Sequence, residues 1–314
     1  MIPDEPGAWD SDYHAPVLAA EILGLFKGAQ QVLDCTLGGG GHSAALLSIG
    51  ATVTAIDRDP VALKVARDRL APFEAAGRFR VILGNFSEVD KLLSDPLAKF
   101  DGIIADLGVS SRQLDDSARG FSFREGALLD MRMGDDAAGT AGEYLNTATE
   151  QDLGRVFHEY GDEPKARRLA REVVRRRGNR LFVTSDDFVG AIRGVLGPRS
   201  GSGDFARLFQ AIRIAVNSEI ESLETALPML RDRLTTGGTL AVIAYHSGED
   251  RVVKHAMREW SRKCICPPRQ LQCDCRGRSL GSLVSRKATA PSGSEMQRNS
   301  RARSARLRAW RSEA

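Results

Sequence analysis

No apolar run in this sequence approaches the ~20 residues that a membrane-spanning helix requires. Its first residues, "MIPDEPGAWDSD", have neither the basic start nor the apolar stretch of a secretory signal. Cysteine is scarce, at five in 314 residues. Without a secretory signal, so few cysteines argue against a disulfide framework and for a reducing compartment. No internal repeat is apparent. These absences argue against a membrane protein and a secreted disulfide-stapled domain, and the expected location is the cytoplasm.

What is present fits an ordinary globular protein: 42% apolar and 27% charged residues. A chain of 314 residues is long enough for about two domains. The net charge of +3 hides a segregation: residues 251–314 carry 16 Lys/Arg against 4 Asp/Glu, which leaves the first 250 residues net acidic. A polyanion partner for the basic end is one reading, a solvated basic tail the other.

Between residues 31 and 110 short apolar runs alternate with helical patterns. "QQVLDCT", "ATVTAID", "FRVILGNF" and "FDGIIADLG" read as buried strands, and "HSAALLSIG" and "PVALKVARDRLAPF" as helices, the latter with Pro60 in its first turn. This rhythm predicts a parallel sheet with crossover helices. It stops near Ser110 and resumes near Phe205, where "FARLFQAIRIAVNSEIESLETALPMLRDRL" predicts one long helix, ended by Gly237 and Gly238 and followed by the strand "TLAVIAYHS". The block between, with the basic amphipathic stretch "EPKARRLAREVVRRRG", reads as a helical insertion.

Four consecutive glycines, Gly38–Gly41, join the first strand to its helix in "DCTLGGGGHS". Glycine permits close approach of a ligand to the backbone, and the helix start adds partial positive charge. Asp57 closes the second strand 19 residues beyond Gly38, placed to accept hydrogen bonds from ribose hydroxyls. An adenosine derivative is the expected ligand. Residues 39–44 fit G-x-G-x-x-A, so a nicotinamide cofactor is one candidate; Asp34 extends the motif to D-x-T-x-G-x-G, the loop of S-adenosylmethionine (SAM) enzymes. Nearby acids suit the cationic sulfonium and ammonium of SAM.

Asp106 ends the fourth strand. A polar acceptor there could take one N–H of an exocyclic base amine and orient its lone pair, a step that depends on positioning. An Asp that caps its own loop is the plainer alternative.

Ten ordered blocks then resemble the RsmH (MraW) family of 16S ribosomal RNA methyltransferases: "HAPVL", "TLGGGGHS", "AIDRDPVAL", "GNFSE", "DLGVSSRQLDD", "RGFSF", "LDMRM", "FQAIRIAVNSE", "HSGEDRVVK" and "NSRARSARLR". The resemblance implies an α/β class I SAM-dependent methyltransferase, a Rossmann-like doubly wound sheet over residues 1–113 and 205–314, with an inserted helical substrate-recognition domain at 114–204. It implies methyl transfer from SAM to N4 of a cytidine in the decoding centre of 16S rRNA, with the small ribosomal subunit or its RNA as partner. Carried over, the cofactor contacts fall on Gly40, Gly41, His42, Asp57, Phe86, Asp106 and Gln113, with Asp106 also catalytic. The chain departs from the family's usual residues at Arg112, Gly126-Ala127-Leu128, Gly248 and Ser300.

His246 and Ser247 follow the last strand named and are candidates to touch a cytosine flipped out of its stack; a self-bonded loop is the alternative. His14 and Asn217 are further candidates. Eight Lys/Arg between 165 and 180 and six Arg between 298 and 311 are candidate phosphate contacts, while Trp310 is expected in the core. Cys264, Cys266, Cys273 and Cys275 form C-x-C-x6-C-x-C. Zinc is one reading, but the single-residue bite is tight; reduced thiols without a metal are the default.

Overall fold

The computed structural model describes residues 16–267, Gln270 and residues 272–313; His14 lies outside the described residues. Seven strands form one sheet: β1 (Gln31–Asp34), β2 (Thr52–Asp57), β3 (Phe79–Leu83), β4 (Phe100–Asp106), β5 (Leu234–Ala244), β6 (Gly281–Leu283) and β7 (Arg306–Ser312). Their spatial order is β3-β2-β1-β4-β5-β7-β6. β1 to β5 run parallel, and β7 is antiparallel to both of its neighbours. This is a doubly wound sheet, as expected.

Strand alternation explains why both faces are covered. Val32, Ile104, Ala241 and Ile243 belong to one core, whereas their chain neighbours Leu33, Ile103, Leu240 and Val242 belong to another. Side chains of a strand point alternately to opposite faces, so near-continuous apolar strands require helices on both sides. The helix Pro60–Ala75 shows how one such cover starts: Pro60 needs no N–H there, and the Asp59 carboxylate accepts from the Val61 N–H at 2.9 Å. The order reverses between β1 and β4, and the crevice outside the carboxyl ends at such a switch point is where doubly wound sheets bind ligands.

β7 was not legible as a strand. Its sequence "RLRAWRS" reads as a basic tail, yet Leu307, Ala309 and Trp310 are buried and Arg308 grips Asp250 at 2.7 and 2.9 Å. Trp310 lies in the core as expected. It is wholly buried edge-to-face against Trp260 and donates its indole N–H to Ser261 Oγ at 3.1 Å.

By packing, the chain divides into two compact units, one of residues up to Gly108 and from Ile220 on, the other Val109–Glu219. The second unit is wider than the insertion expected over 114–204. Its core joins Phe157, Leu169, Val173, Phe188 and Ile192 to Phe205, Leu208, Phe209 and Ile212, so the helix Ser202–Asn217 belongs to it. The single long helix expected from the apolar stripe is therefore two, Ser202–Asn217 and Glu219–Asp232. They are parted at Ser218, whose left-handed φ of 48° ends the first. Helical periodicity is nearly unbroken by one residue of changed backbone, which is why the stripe ran through. Gly237 and Gly238 lie inside β5, beside a register shift opposite Phe100–Gly102, rather than at a helix end.

Inside the second unit Asn217 is buried. Its side chain accepts from Met133 N at 2.8 Å and donates to Met131 O at 2.7 Å, clasping a backbone where Met131 has φ of 62°. No helix among the described residues is long and apolar enough to cross a membrane.

Candidate cofactor and catalytic site

At the carboxyl end of β1 the chain turns into the glycine loop, and Asp34 holds the turn. Its carboxylate accepts from Ser43 Oγ at 2.7 Å and from Thr36 N at 3.1 Å. Burial raises the Asp34 pKa, opposed in part by the Ser43 hydroxyl. Asp34 is thus an anchor of the loop.

The glycines divide by what surrounds them. Gly40 has φ of +75°, and a Cβ there would stand 3.1 Å from Leu70 Cδ1 and 3.3 Å from Ala66 Cβ. Gly41 starts the helix Gly41–Ser48, and a Cβ there would meet the Pro16 ring at 3.1 Å. Those two are demanded by the protein's own packing. Gly38, at φ of +51°, is different: a Cβ there would meet no described atom within 4 Å.

Asp57, at the end of β2, reaches the same loop. Its Oδ2 accepts from the Gly38 N–H at 2.7 Å and its Oδ1 from the Asp59 N–H at 2.9 Å. Burial pushes this carboxyl up to about 6, against the lowering effect of the two N–H groups. Each oxygen keeps a further lone pair for a ligand donor.

Across the switch point, at the end of β4, Asp106 is held on three sides. Its N–H donates to Thr36 Oγ1 at 2.6 Å, its Oδ1 accepts from the Tyr245 hydroxyl at 3.0 Å, and its Oδ2 lies 3.2 Å from His42 Nε2. Burial, then the nearby Asp106 charge, raises the Tyr245 pKa well above its ordinary value, so the phenol stays protonated as donor. His42 Nδ1 is buried and has no hydrogen-bond partner among the described residues.

The structure therefore brings Asp57 to the loop at Gly38, and Asp106 to His42. Phe86 stands beyond β3 in a short turn of helix, capped by Asn85 and half-buried against the sheet. Gln113 belongs to the other unit, where its Oε1 accepts from Ser110 N at 2.9 Å in a capping box. His246 caps the helix Ser247–Trp260: its Nδ1 accepts from Gly248 N at 3.2 Å and Glu249 N at 3.4 Å, while Ser247 is exposed. Glu249 closes that turn by accepting from Tyr245 N at 2.8 Å. Sequence reasoning missed Thr36, Ser43 and Tyr245. Tyr245 adjoins His246 at the end of a strand already singled out, so the location was legible and the residue was not.

Asp57 and Asp106 end neighbouring stretches of the sheet's carboxyl edge, on either side of the loop that Asp34 anchors, and no described atom lies within 4 Å of where a Cβ on Gly38 would stand. The basic candidates are only partly available. Arg175 and Arg176 pair with Glu172, and Arg177 holds the carbonyls of Leu145 and Ala148, but Arg167, Arg168 and Arg171 are exposed. In the other unit Arg298, Arg303 and Arg306 are exposed.

The model of the MraW methylase family matches residues 11–313 of this chain. Ribosomal RNA small subunit methyltransferase H of Gemmatimonas aurantiaca is 59% identical, covering 98% of this chain and 98% of its own length. The proteins of that name from Myxococcus xanthus and Heliobacterium modesticaldum are 44% and 41% identical, each covering 95% of this chain and 97% of its own length.

Proposed function

This chain belongs to the MraW methylase family, and from that premise we propose that it is the enzyme that methylates N4 of a cytidine in the decoding centre of the small-subunit ribosomal RNA, in the cytoplasm. It is a SAM-dependent ribosomal RNA methyltransferase, and RNA is its substrate. The observation that carries the finer reading is Asp106, fixed at a strand end by Thr36, His42 and Tyr245.

Bound SAM supplies an electrophilic methyl group. The protein's part is to hold and orient. Asp57 accepts the ribose hydroxyls, Gly38 admits the nucleoside to the backbone, and Gly40 and Gly41 shape the loop. His42 and Phe86 complete the contacts that the family implies within this unit. The N4 amine of cytosine is a poor nucleophile because its lone pair is drawn into the ring. Asp106 accepts one N4 hydrogen in a hydrogen bond, which turns the lone pair toward the methyl donor. The methyl replaces that hydrogen, and the proton leaves along the bond to Asp106. Tyr245 and His42 keep the carboxylate from rotating. His246 and Ser247 adjoin the base as a second tier. Arg167, Arg168 and Arg171, with Arg298, Arg303 and Arg306, contact phosphates without reading sequence.

The test is to map methylated cytidines in small-subunit RNA from cells with and without this gene, and to restore the gene as wild type or as Asp106→Asn. One N4-methylated decoding-centre cytidine should vanish with the gene and return only with the wild type. An unchanged map, or full restoration by Asp106→Asn, would refute the proposal. Binding of NAD in place of SAM would return the loop to the nicotinamide reading.

A further inference from the structure

The loop between the helix Ser247–Trp260 and β6 carries four of the five cysteines, and the fold gathers them. All four sulfurs lie within 4.8 Å of one another. Cys264 Sγ is 3.9 Å from Cys273 and 3.8 Å from Cys275, Cys266 is 3.8 Å from Cys273, and Cys273 is 3.5 Å from Cys275. A regular tetrahedron with Zn–S bonds of about 2.3 Å has an S···S edge of about 3.8 Å. We infer that Cys264, Cys266, Cys273 and Cys275 hold one structural zinc ion.

Three features of the loop support this. The first is spacing: the contacts are too long for a disulfide, at about 2.0 Å, and all four sulfurs are too close together to surround a multi-iron cluster. The tight C-x-C bite is accommodated at Cys273 and Cys275, the shortest of these separations. The second is the lack of an apolar core, the described tie of the loop to the preceding helix being Arg276, which donates to the carbonyls of Glu259 and Arg262. Residues 261–279 are exposed or half-buried wherever described, and Ile265, the large apolar residue among them, is 37% exposed. A loop of this length without a core of its own needs some other tie.

The third is the electrostatic surrounding. A zinc ion with four thiolates carries net −2, and the described residues between 261 and 280 include Arg262, Lys263, Arg276 and Arg278 against Asp274 alone. The Ile265 N–H donates to Cys275 Sγ at 3.4 Å, the outer-shell support that thiolate ligands use. Asp274 Oδ1 lies 3.5 Å from Cys266 Sγ and accepts from Gln270 Nε2 at 2.7 Å. The ion would tie the end of the helix to the start of β6, where Leu280 N already bonds Trp260 O at 2.9 Å and β6 completes the sheet edge beside β7. Each thiol gives up its proton as the metal binds.

The experiment uses the full chain, expressed with added zinc and purified under reductant without chelator. Elemental analysis should find roughly one zinc per chain. Titration with a mercurial should release it after about four thiols react. Cys264→Ser with Cys275→Ser should lose it. Should that variant fold poorly, hydrogen exchange of the wild type decides: stripping the ion should speed exchange across residues 261–283 and leave β1, β2 and β4 unchanged. Zinc below roughly a tenth of an equivalent, iron in its place, or a mass lower by four hydrogens from two disulfides would each overturn the inference. Unlike the methylation test, this one reads no activity, so either proposal can fail alone.

Discussion

Gly38 and Gly40 stand two residues apart in one loop, and an added methyl group should act differently at the two. At Gly38 the φ of +51° charges an alanine the left-handed strain of about 1–2 kcal/mol, but its Cβ meets no described atom within 4 Å. At Gly40 the same strain applies at φ of +75°, and the Cβ also crowds Leu70 Cδ1 at 3.1 Å and Ala66 Cβ at 3.3 Å. Leu70 can shift; Ala66, fixed to its helix, cannot. Overpacking adds about 1–3 kcal/mol, for a total of about 2–5 kcal/mol. At roughly 2–4 °C per kcal/mol for a unit of this size, Gly38→Ala should lower the melting temperature by about 2–8 °C and Gly40→Ala by about 4–20 °C. Ligand affinity should order them differently. The methyl group of Gly38→Ala projects where the proposed site puts the nucleoside, so SAM binding by calorimetry should weaken at least about tenfold, or about 1.4 kcal/mol, in a protein that remains folded. If Gly38→Ala binds SAM within about twofold of wild type, no ligand approaches that backbone and the cofactor assignment of the loop is wrong.

Asp57 gives a pH test with two opposite signs. Its folded pKa of about 6 lies above its ordinary 3.8, so the native state holds the proton more tightly than the unfolded chain. Its contribution to stability is therefore full below about pH 4 and is lost as the pH rises through about 6. SAM affinity, which needs the carboxylate, should instead fall about tenfold between pH 7 and pH 5; the same slope in Asp57→Asn would assign it to another group. Asp106→Asn should cut methyl transfer by about 10²–10³ with SAM affinity changed only a few-fold, and comparable losses in kcat and SAM binding would make Asp106 a cofactor residue alone. Tyr245→Phe removes one hydrogen bond to that carboxylate, about 1–1.5 kcal/mol, and should lower kcat about tenfold at unchanged SAM affinity; no change in kcat would deny it the orienting role. Asn217→Ala should destabilise the second unit by about 3–4 kcal/mol, because it strands two buried backbone groups. Urea unfolding within about 0.5 kcal/mol of wild type would contradict that clasp.

Much of the site was legible because its signals are local. A strand, a glycine turn, a helix start and an acid nineteen residues after Gly38 each follow from propensities a few residues long. Gly40 and Gly41 were legible as glycines but not for their reason, which is contact with Leu70, Ala66 and Pro16. The long apolar stripe concealed the break at Ser218, because one left-handed residue barely disturbs helical spacing. β7 looked like a basic tail because its pattern of burial exists only beside β5 and β6.

By itself, then, the sequence determined the alternation of strands and helices, the ligand loop and the acids that end β2 and β4. Tertiary structure alone decided what surrounds those acids: His42 meets Asp106 from 64 residues away and Tyr245 from 139. It also decided that four exposed or half-buried sulfurs converge to within 4.8 Å of one another. The physical reason is that local backbone preference acts over a few residues. Which distant groups become neighbours is settled only when strand order and register close the sheet.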